Sequence, residues 1–307
     1  MEYFNQSAQR YSYYSITSGV KNSFRHILEL NLATLLVSSS GVLGKMISLP
    51  PSITILYRCV LAAIFLFLIA RLFKISLHIN PKKHFAFMVS GAFFLALHWV
   101  TYYWSIRVAG VAVGMLSMFT FPLITTLLEP LYFKTKLERF NVFTSLLSLA
   151  GLAFIVPEFS VDNPITLGVL IGLVSALAYS IRNILNKKYV SIYTGTSVMF
   201  YQLLGCVVWL FPFLFFEEIV PQGNDWSLLI ILSLVATALG HTLFVISLKN
   251  FSTSTASIIS SVQPVYGIAL AAVLMSEHNP PRVFIGGGII LGIVLLQSIR
   301  QGLKSRA

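Results

Sequence analysis

Charged residues are scarce in this sequence. Only 10% of the 307 residues are Asp, Glu, Lys or Arg, whereas 56% are hydrophobic, and a soluble domain carries roughly a quarter charged residues. So few charges cannot cover the surface of a water-soluble protein of this length. A bilayer-spanning helix needs roughly 20 mainly apolar residues, so about ten such helices fit into the chain. The composition therefore predicts an all-α integral membrane protein.

Cysteine is also rare, and both cysteines, Cys59 and Cys206, lie within apolar runs. A thiol in such a run behaves as a small hydrophobic group, and neither cysteine has the neighbours that a zinc site requires. No Lys-Ser or Lys-Thr pair follows a glycine-rich turn of the phosphate-binding kind. The sequence therefore predicts no disulfide framework, no metal site and no cofactor.

The N-terminal segment lacks the features of a cleaved secretory signal. Residues 1–25 are polar, aromatic and rich in serine, without a central apolar stretch or a small-residue cleavage site. We expect these residues to form a cytoplasmic tail, followed by a first span that stays as an uncleaved anchor.

Long apolar runs bounded by Pro, Gly, Asn or charged residues predict ten spans. These are residues 27–47, 51–73, 84–106, 109–132, 140–157, 165–187, 195–217, 226–248, 252–276 and 281–300. Most of the 21 Lys and Arg residues then fall on one side, and cytoplasmic loops are the ones enriched in these residues. Arg182, Lys187 and Lys188 are assigned in this way to the cytoplasmic end of the sixth span. Both termini are predicted to be cytoplasmic, and topology explains the net charge of +11 without a nucleic-acid partner.

The chain also repeats itself weakly. A shift of 142 positions aligns Ser105–Arg107 with Ser247–Lys249, and Pro122 with Pro264. A shift of 144 positions aligns the Tyr-Arg pair at Arg58 with the Tyr-Gln pair at 201–202. The order of these matches and their near-constant offset predict a duplication.

The duplication defines two halves, residues 26–157 and 165–300, with a second cytoplasmic tail at 301–307. Because each half has an odd number of helices, the second half must enter the membrane from the opposite side. Such inverted repeats place a solute near the bilayer midplane, where the halves meet. The sequence thus predicts ten transmembrane helices arranged as two inverted five-helix repeats, and a transporter.

Pro122 and Pro264 each fall inside an apolar span. A proline removes one helical hydrogen bond, and in lipid the freed carbonyl needs another partner. The two prolines either line a cavity as helix breaks or are plain packing kinks. Gln263, next to the second proline, either bridges helices or meets a polar solute. Tyr266, three positions on, is expected near the same face.

Arg58 is the deepest cation, about two turns inside the second span. Intramembrane charges usually face the bundle interior and are functional, although snorkelling or helix capping is the alternative. In a functional role Arg58 would suit a carboxylate or another anionic solute group, or would pair with a glutamate such as Glu277. Trp99 and Tyr103 share one face of the third span and either line a pocket or pack the core.

Polar side chains also mark the sixth span, where Tyr179, Asn183 and Asn186 share one face. This stripe fits a solute path, and interhelical hydrogen bonding is the alternative.

Three further residues are candidates for proton coupling. His98 and His241 occupy nearly equivalent positions of the repeat, and a membrane histidine serves either as a proton relay or in hydrogen-bonded packing. Glu129 is the third candidate, with pairing to Lys134 or Lys136 as its alternative.

With these features the chain resembles the EamA-type members of the drug/metabolite transporter superfamily. The resemblance rests on the ten-helix duplication, the Pro51–Arg58 stretch, the runs AGVAVGMLSMFTFPL and STSTASIISSVQPVYG, and Glu277 after the ninth span. It implies an alternating-access transporter of amino acids, nucleobases, sugars or related metabolites in a bacterial inner membrane. The chain departs from the family where a Glu often follows the fourth span, because Thr135 and Lys136 stand there.

The function predicted is a secondary transporter, an exporter of small metabolites such as amino acids, and not an enzyme. Its predicted partners are a small-molecule solute and membrane lipid. The sequence gives no basis for predicting the oligomeric state. A membrane-embedded enzyme acting on a lipid-linked substrate and a non-transporting sensor or assembly partner are the alternatives. The predicted substrate-binding residues are Arg58, Trp99, Tyr103, Gln263, Tyr266 and Asn183.

Overall fold

The computed structural model describes residues 25–304, apart from residues 156, 159, 219 and 277. All regular structure in this part of the chain is helical. Seven helical segments are long and apolar enough to cross a membrane: Arg25–Met46, Pro51–Leu72, His84–Ala109, Val111–Phe133, Pro164–Tyr189, Gly195–Phe215 and Asp225–Ser247. The prediction of an all-α, multi-pass membrane protein is therefore confirmed.

The helices follow one another with short connections. They are α1 (Arg25–Met46), α2 (Pro51–Leu72), α3 (Pro81–Ala109), α4 (Val111–Met118), α5 (Phe121–Phe133), α6 (Arg139–Ile155), α7 (Pro164–Tyr189), α8 (Gly195–Leu210), α9 (Asp225–Ile231), α10 (Thr242–Ser247), α11 (Thr253–Ile259), α12 (Gln263–Met275) and α13 (Pro281–Lys304). A 3₁₀ turn, Phe211–Phe215, continues α8, and a π-helix, Leu232–His241, joins α9 to α10. Three predicted spans correspond to α6, to α11 with α12, and to α13, none of which is among the seven segments. The count of ten spans thus stays a prediction.

Two helices are interrupted just before a proline. α4 ends at Met118 and α5 begins at Phe121, with Pro122 in its first turn. A 3₁₀ turn, Ser260–Val262, separates α11 from α12, which has Pro264 in its first turn. Proline suits the first turn of a helix because its missing N–H would have no partner there and its fixed φ is already helical. Both interruptions therefore start a new helix at the proline.

The ends of these helices keep the sequence offset. α5 and α12 begin at 121 and 263, and their C-caps Lys134 and Ser276 both adopt a left-handed conformation, with φ of 55° and 50°. α6 and α13 begin at 139 and 281. Each of these pairs is 142 positions apart, the shift that aligns the sequence motifs. Left-handed backbone is unfavourable for residues other than glycine, so its recurrence at one offset is a shared structural feature.

Small residues bring α7 close to the helices of the N-terminal part. A Cβ atom added to Gly168 would lie 2.3 Å from the Cβ atom of Ala109, and one added to Gly172 would lie 2.4 Å from that of Ser117. Close backbone approach at small residues is a common way to pack helices in membranes, where no hydrophobic effect drives helices together. α7 thereby packs along α3, α4 and α5, and α8 packs against α2 and α3. The candidate site lies among these helices.

Candidate functional site

A narrow, enclosed cavity lies between helices from both predicted halves. Its lining residues are Val37, Ser40, His98, Trp99, Tyr102, Met118, Tyr179, His241 and Gln263. The cavity offers about 10 Å³ of water-accessible space, roughly enough for one water molecule. No organic molecule fits into a space of this size in the conformation described.

Two larger grooves elsewhere are apolar and open to the outside, and a third, partly polar and also open, is formed by residues 190–196 with Ile246 and Lys249. Of the two apolar grooves, one lies between α5 and α7 and is lined mainly by leucine and isoleucine, and the other lies between α3 and α8. Apolar surfaces of a membrane-spanning bundle face the hydrocarbon core of the bilayer. The enclosed cavity is accordingly the candidate solute site.

Arg58 is fully buried beside this cavity. Its guanidinium carbon lies 4.0 Å from the centroid of the Trp99 ring. Nε donates a hydrogen bond to the Thr237 hydroxyl at 2.6 Å, and Nη1 donates to the Tyr103 hydroxyl at 3.2 Å. Nη2 has no partner among the described residues. Aromatic and hydroxyl groups thus surround this cation. Glu277, predicted as an alternative partner of Arg58, lies outside the described residues.

Tyr103 links Arg58 to α1. Its hydroxyl donates to the Ser40 carbonyl at 2.9 Å and lies 3.1 Å from the Ser40 hydroxyl. The ring packs directly on Gly44, where an added Cβ atom would lie 2.2 Å from ring carbons. Tyr103 does not line the cavity; it orients Arg58, which does contact a lining residue.

The two predicted histidines differ in their surroundings. His98 Nδ1 lies 2.8 Å from the Ser175 hydroxyl, which itself donates to the His98 carbonyl at 2.9 Å. The His98 ring also stacks on Tyr179, with centroids 4.3 Å apart. His241 Nδ1, by contrast, has no partner among the described residues, and its ring meets the Trp99 ring edge-on at 5.2 Å. The geometry thus fixes His98 by hydrogen bonds and leaves His241 available.

Gln263 and Tyr266 are separated by the structure. Gln263 is buried and lines the cavity, whereas 42% of Tyr266 is exposed, as is 48% of its neighbour Val265. Three positions along an α-helix turn by about 300°, which leaves Tyr266 about 60° from Gln263 and offset toward the exposed side of α12 on which Val265 lies. Tyr266 is therefore near the face of Gln263 but does not line the cavity.

Asn183 belongs to a second buried polar cluster, centred on Arg182. Arg182 Nε donates to the Gln202 side-chain oxygen at 2.9 Å, and Nη1 donates to the Asn183 side-chain oxygen at 3.2 Å. Gln202 in turn donates to Asn186 at 2.6 Å. Because Arg182 is fully buried about two turns before the end of α7, its assignment to the cytoplasmic end of a span is wrong.

Arg182 was not among the predicted site residues, although the sequence carries one signal for a buried polar cluster around it. Arg182 lies next to Asn183 and one turn before Asn186, within the polar stripe of the sixth span. Within the part of the chain that the structure describes, neither Arg182 nor Arg58 forms an ion pair with a carboxylate.

Polar contacts close one end of the bundle. Asp225, at the start of α9, accepts hydrogen bonds from the Ser48 backbone N–H at 2.9 Å and from the Ser48 hydroxyl at 2.5 Å. Ser52 donates to Glu217 at the same end. These contacts join the start of α2 and the loop before it to the C-terminal part of the chain.

Different contacts close the opposite end. Glu129 of α5 accepts from the backbone N–H of Thr253 at 2.9 Å, which ties the fourth predicted span to the start of α11. Lys187 Nζ donates to the carbonyls of Leu248 and Phe251, each at 2.7 Å. Contacts between the two parts of the chain therefore join the helices at both ends of the bundle in this conformation.

These features define a helical membrane protein with a closed polar cavity at its centre, the architecture of a membrane carrier. The model of the EamA-like transporter family matches residues 26–156 and again residues 166–299. The chain therefore belongs to the EamA-like transporter family, within the drug/metabolite transporter superfamily, and is a membrane transporter.

Similar proteins agree with this membership. "Uncharacterized transporter YxxF" of Bacillus subtilis (strain 168) is 24% identical over 299 residues, which cover 94% of either chain. "Probable amino-acid metabolite efflux pump" of Escherichia coli (strain K12) is 27% identical over 138 residues, 41% of this chain and 46% of the relative. A solved structure described only as "Crystal structure of protein" has a TM-score of 0.69 at 17% identity, and the match covers 90% of this chain and 96% of that one. This last likeness concerns the fold alone.

Proposed function

We propose that this protein is a secondary transporter that exports small metabolites, such as amino acids, by alternating access. The observation that carries the proposal is the enclosed cavity, where Trp99, Tyr102 and His241 each present a buried polar atom without a partner among the described residues. Buried polar groups in a packed core are hydrogen-bonded almost without exception, whereas a binding site keeps such groups for its ligand. We further propose a bacterial inner membrane location with both termini cytoplasmic.

The architecture proposed is ten transmembrane helices in two inverted five-helix repeats, residues 26–157 and 165–300, flanked by the tails 1–25 and 301–307. The recurrence of helix starts and left-handed caps at an offset of 142 positions supports this division, as does the double match of the family model. Inverted halves that meet at a central cavity can open either end by small rigid movements.

The proposed roles follow the geometry around the cavity. Arg58 and Trp99 bind the solute together with Gln263, and Tyr103 orients Arg58. Asn183 supports the second cation, Arg182. Tyr266 is left out because it does not line the cavity.

The helix breaks at Pro122 and Pro264 place flexible joints beside the solute. Met118 and Gln263, which flank the two interruptions, both line the cavity. A proline leaves a carbonyl of the preceding turn without its usual donor, and such groups are tolerated at membrane depth where they line a cavity.

If transport is coupled to protons, His241 is the proposed site. Its Nδ1 atom lacks a partner among the described residues, whereas His98 is engaged with Ser175. Glu129 is engaged with the Thr253 backbone at one end of the bundle.

The test is counterflow of amino acids, nucleobases and sugars in proteoliposomes of the purified chain, with and without a pH gradient. Arg58→Ala and Gln263→Ala should each reduce flux at unchanged expression, and Val265→Ala, on the outward side of α12, should not. Wild-type flux in both cavity variants would overturn the site. Turnover of a lipid-linked substrate, with no flux of any solute, would favour the enzyme alternative.

A further inference from the structure

Four buried polar groups in or beside the cavity have no partner among the described residues. Trp99 Nε1, the Tyr102 hydroxyl and His241 Nδ1 belong to lining residues, and Arg58 Nη2 lies on the guanidinium that stacks on Trp99. The indole and guanidinium nitrogens are donors only, a phenol can donate, and a neutral imidazole nitrogen donates in one of its tautomers. A group that accepts several hydrogen bonds at once would satisfy all of them.

The charge of the bundle interior points to the same kind of group. Arg58 and Arg182 are both fully buried, and among the described residues no carboxylate pairs with either. A buried charge is costly unless it is paired. The donors of Arg182 are directed to Gln202, Asn183 and Met199. Of these two buried arginines, it is therefore Arg58 that has a nitrogen without a partner among the described residues.

We propose that the transported solute is an organic anion whose carboxylate binds Arg58 Nη2, Trp99 Nε1, the Tyr102 hydroxyl and His241. The inference rests on the proposed transport function and names its substrate class. A carboxylate has two oxygens and about four acceptor positions, which matches the number of unpartnered groups. Hydrogen bonds between charged partners are about twice as strong as neutral ones.

Part of the remaining wall is formed by rings and apolar side chains, which suit a flat body, and Ser40 and Gln263 add polar groups. The Tyr179 ring, the sulfur-containing side chain of Met118 and the ring of His98 line the cavity beside the polar groups. No Asp or Glu is among the lining residues within the described chain. The site therefore supplies no carboxylate for an ammonium group, and an amino group on the solute is not required for binding.

The experiment compares carboxylates with their neutral amides. Binding of benzoate and benzamide, and of phenylacetate and phenylacetamide, is measured by isothermal titration calorimetry on the purified full-length chain in detergent. A charge-assisted hydrogen bond contributes roughly a tenfold to hundredfold factor in affinity, so each carboxylate should bind at least about tenfold more tightly than its amide. Equal affinity of the wild-type chain for both members of each pair would overturn the proposal without any variant.

Two variants locate the anion. Arg58→Gln should bring the carboxylate-to-amide affinity ratio close to one. Arg107→Gln is the matched control, because Arg107 donates to the Ile47 and Leu49 carbonyls at the end of the bundle, and it should keep the wild-type ratio. Should Arg58→Gln fail to fold, Trp99→Phe, which keeps an aromatic ring but removes the indole N–H, should still lower the ratio. A wild-type ratio in both cavity variants would place the anion elsewhere.

Flux measurements separate this inference from the proposed function. Uptake of radiolabelled phenylacetate and of a neutral sugar is followed in the same proteoliposomes. Carboxylate binding without any flux would overturn the transport function and leave the anion site standing. Flux of the neutral sugar with no binding of either carboxylate would overturn the anion site and leave transport standing.

Discussion

The guanidinium carbon of Arg58 lies 4.0 Å from the centroid of the Trp99 ring, and neither side chain is more than 1% exposed. A cation held over an indole ring in a desolvated place gains about 2 kcal/mol. This contact connects a buried charge on α2 to the cavity wall on α3. The stability of the buried Arg58 therefore depends on an aromatic ring that also lines the cavity.

Two substitutions of Trp99 test how much its aromatic ring contributes to stability through the contact with Arg58. Trp99→Leu removes the π-face and should lower the free energy of unfolding by about 3 kcal/mol or more, since a large buried side chain is lost as well. Trp99→Phe keeps a ring beneath Arg58 and should cost less. Thermal unfolding of both purified variants provides the measurement. Equal losses in the two variants would show that the ring contact with Arg58 contributes little.

Gly44 is predicted to be intolerant of any side chain. A Cβ atom there would lie 2.2 Å from carbons of the Tyr103 ring, and Tyr103 is held by Ser40 and Arg58. Overpacking of this kind typically costs about 1–3 kcal/mol, so Gly44→Ala should lower the melting temperature and the flux. Gly288→Ala is the control, because a Cβ atom added there meets nothing within 4 Å. Unchanged melting of Gly44→Ala would contradict the tight contact.

The contact between Asp225 and Ser48 is expected to hold one end of the cavity shut. Asp225→Asn removes the charge from two hydrogen bonds, each contributing roughly 1.5–3 kcal/mol. A cysteine placed at the cavity residue Ser40 should then react about tenfold faster with a maleimide. Asp162→Asn, an exposed loop change, should leave the rate alone. An unchanged rate in Asp225→Asn would show that this contact does not control access.

The two cavity histidines should differ in the pH dependence of flux. The His241 ring contacts the rings of Trp99 and Tyr179, and Arg58 stacks on the same Trp99 ring. The His241 Nδ1 atom is unpartnered among the described residues. His241→Gln should therefore abolish stimulation by a pH gradient. His98→Gln should preserve it, because His98 is fixed by Ser175. The opposite pattern in gradient-driven uptake would reverse the assignment.

The cluster around Arg182 should behave as one unit. Gln202→Leu leaves Arg182 Nε and the Asn186 side-chain oxygen without their partner, which should cost about 2–4 kcal/mol. Adding Arg182→Met to this variant removes the unpaired charge as well. The double variant should therefore lose at least about 1 kcal/mol less than the sum of the single ones. Additive losses in a double-mutant cycle would show that the two side chains act independently.

Much of the fold could be predicted from the sequence, because a helix that crosses a lipid bilayer needs a run of roughly 20 mainly apolar residues. The seven long segments start or end close to the predicted boundaries, since proline and glycine punctuate the runs there. The other three predicted spans are not among the seven long apolar segments. One of them, for example, is divided into α11 and α12 by a 3₁₀ turn.

The site was only partly accessible, for reasons that lie in tertiary packing. Arg58, Trp99 and Gln263 were identified because charge, aromatic rings and amides are conspicuous inside apolar runs. Arg182 was missed because a lysine pair follows it and charge counting places such groups at a helix end. Tyr266 is close to the face of Gln263 but outside the cavity lining, because helical spacing gives the angle between two side chains and not how far the cavity extends around α12.

The π-helix Leu232–His241 has a consequence for how the cavity opens. Thr237, within it, donates to the carbonyl five residues earlier and accepts from Arg58, and His241 ends it. One residue of an α-helix corresponds to about 100° of rotation, so rewinding this stretch into α geometry would swing Thr237 away from Arg58. A local change from π-helix to α-helix can thus move the Thr237 side chain relative to Arg58 without tilting the whole helix.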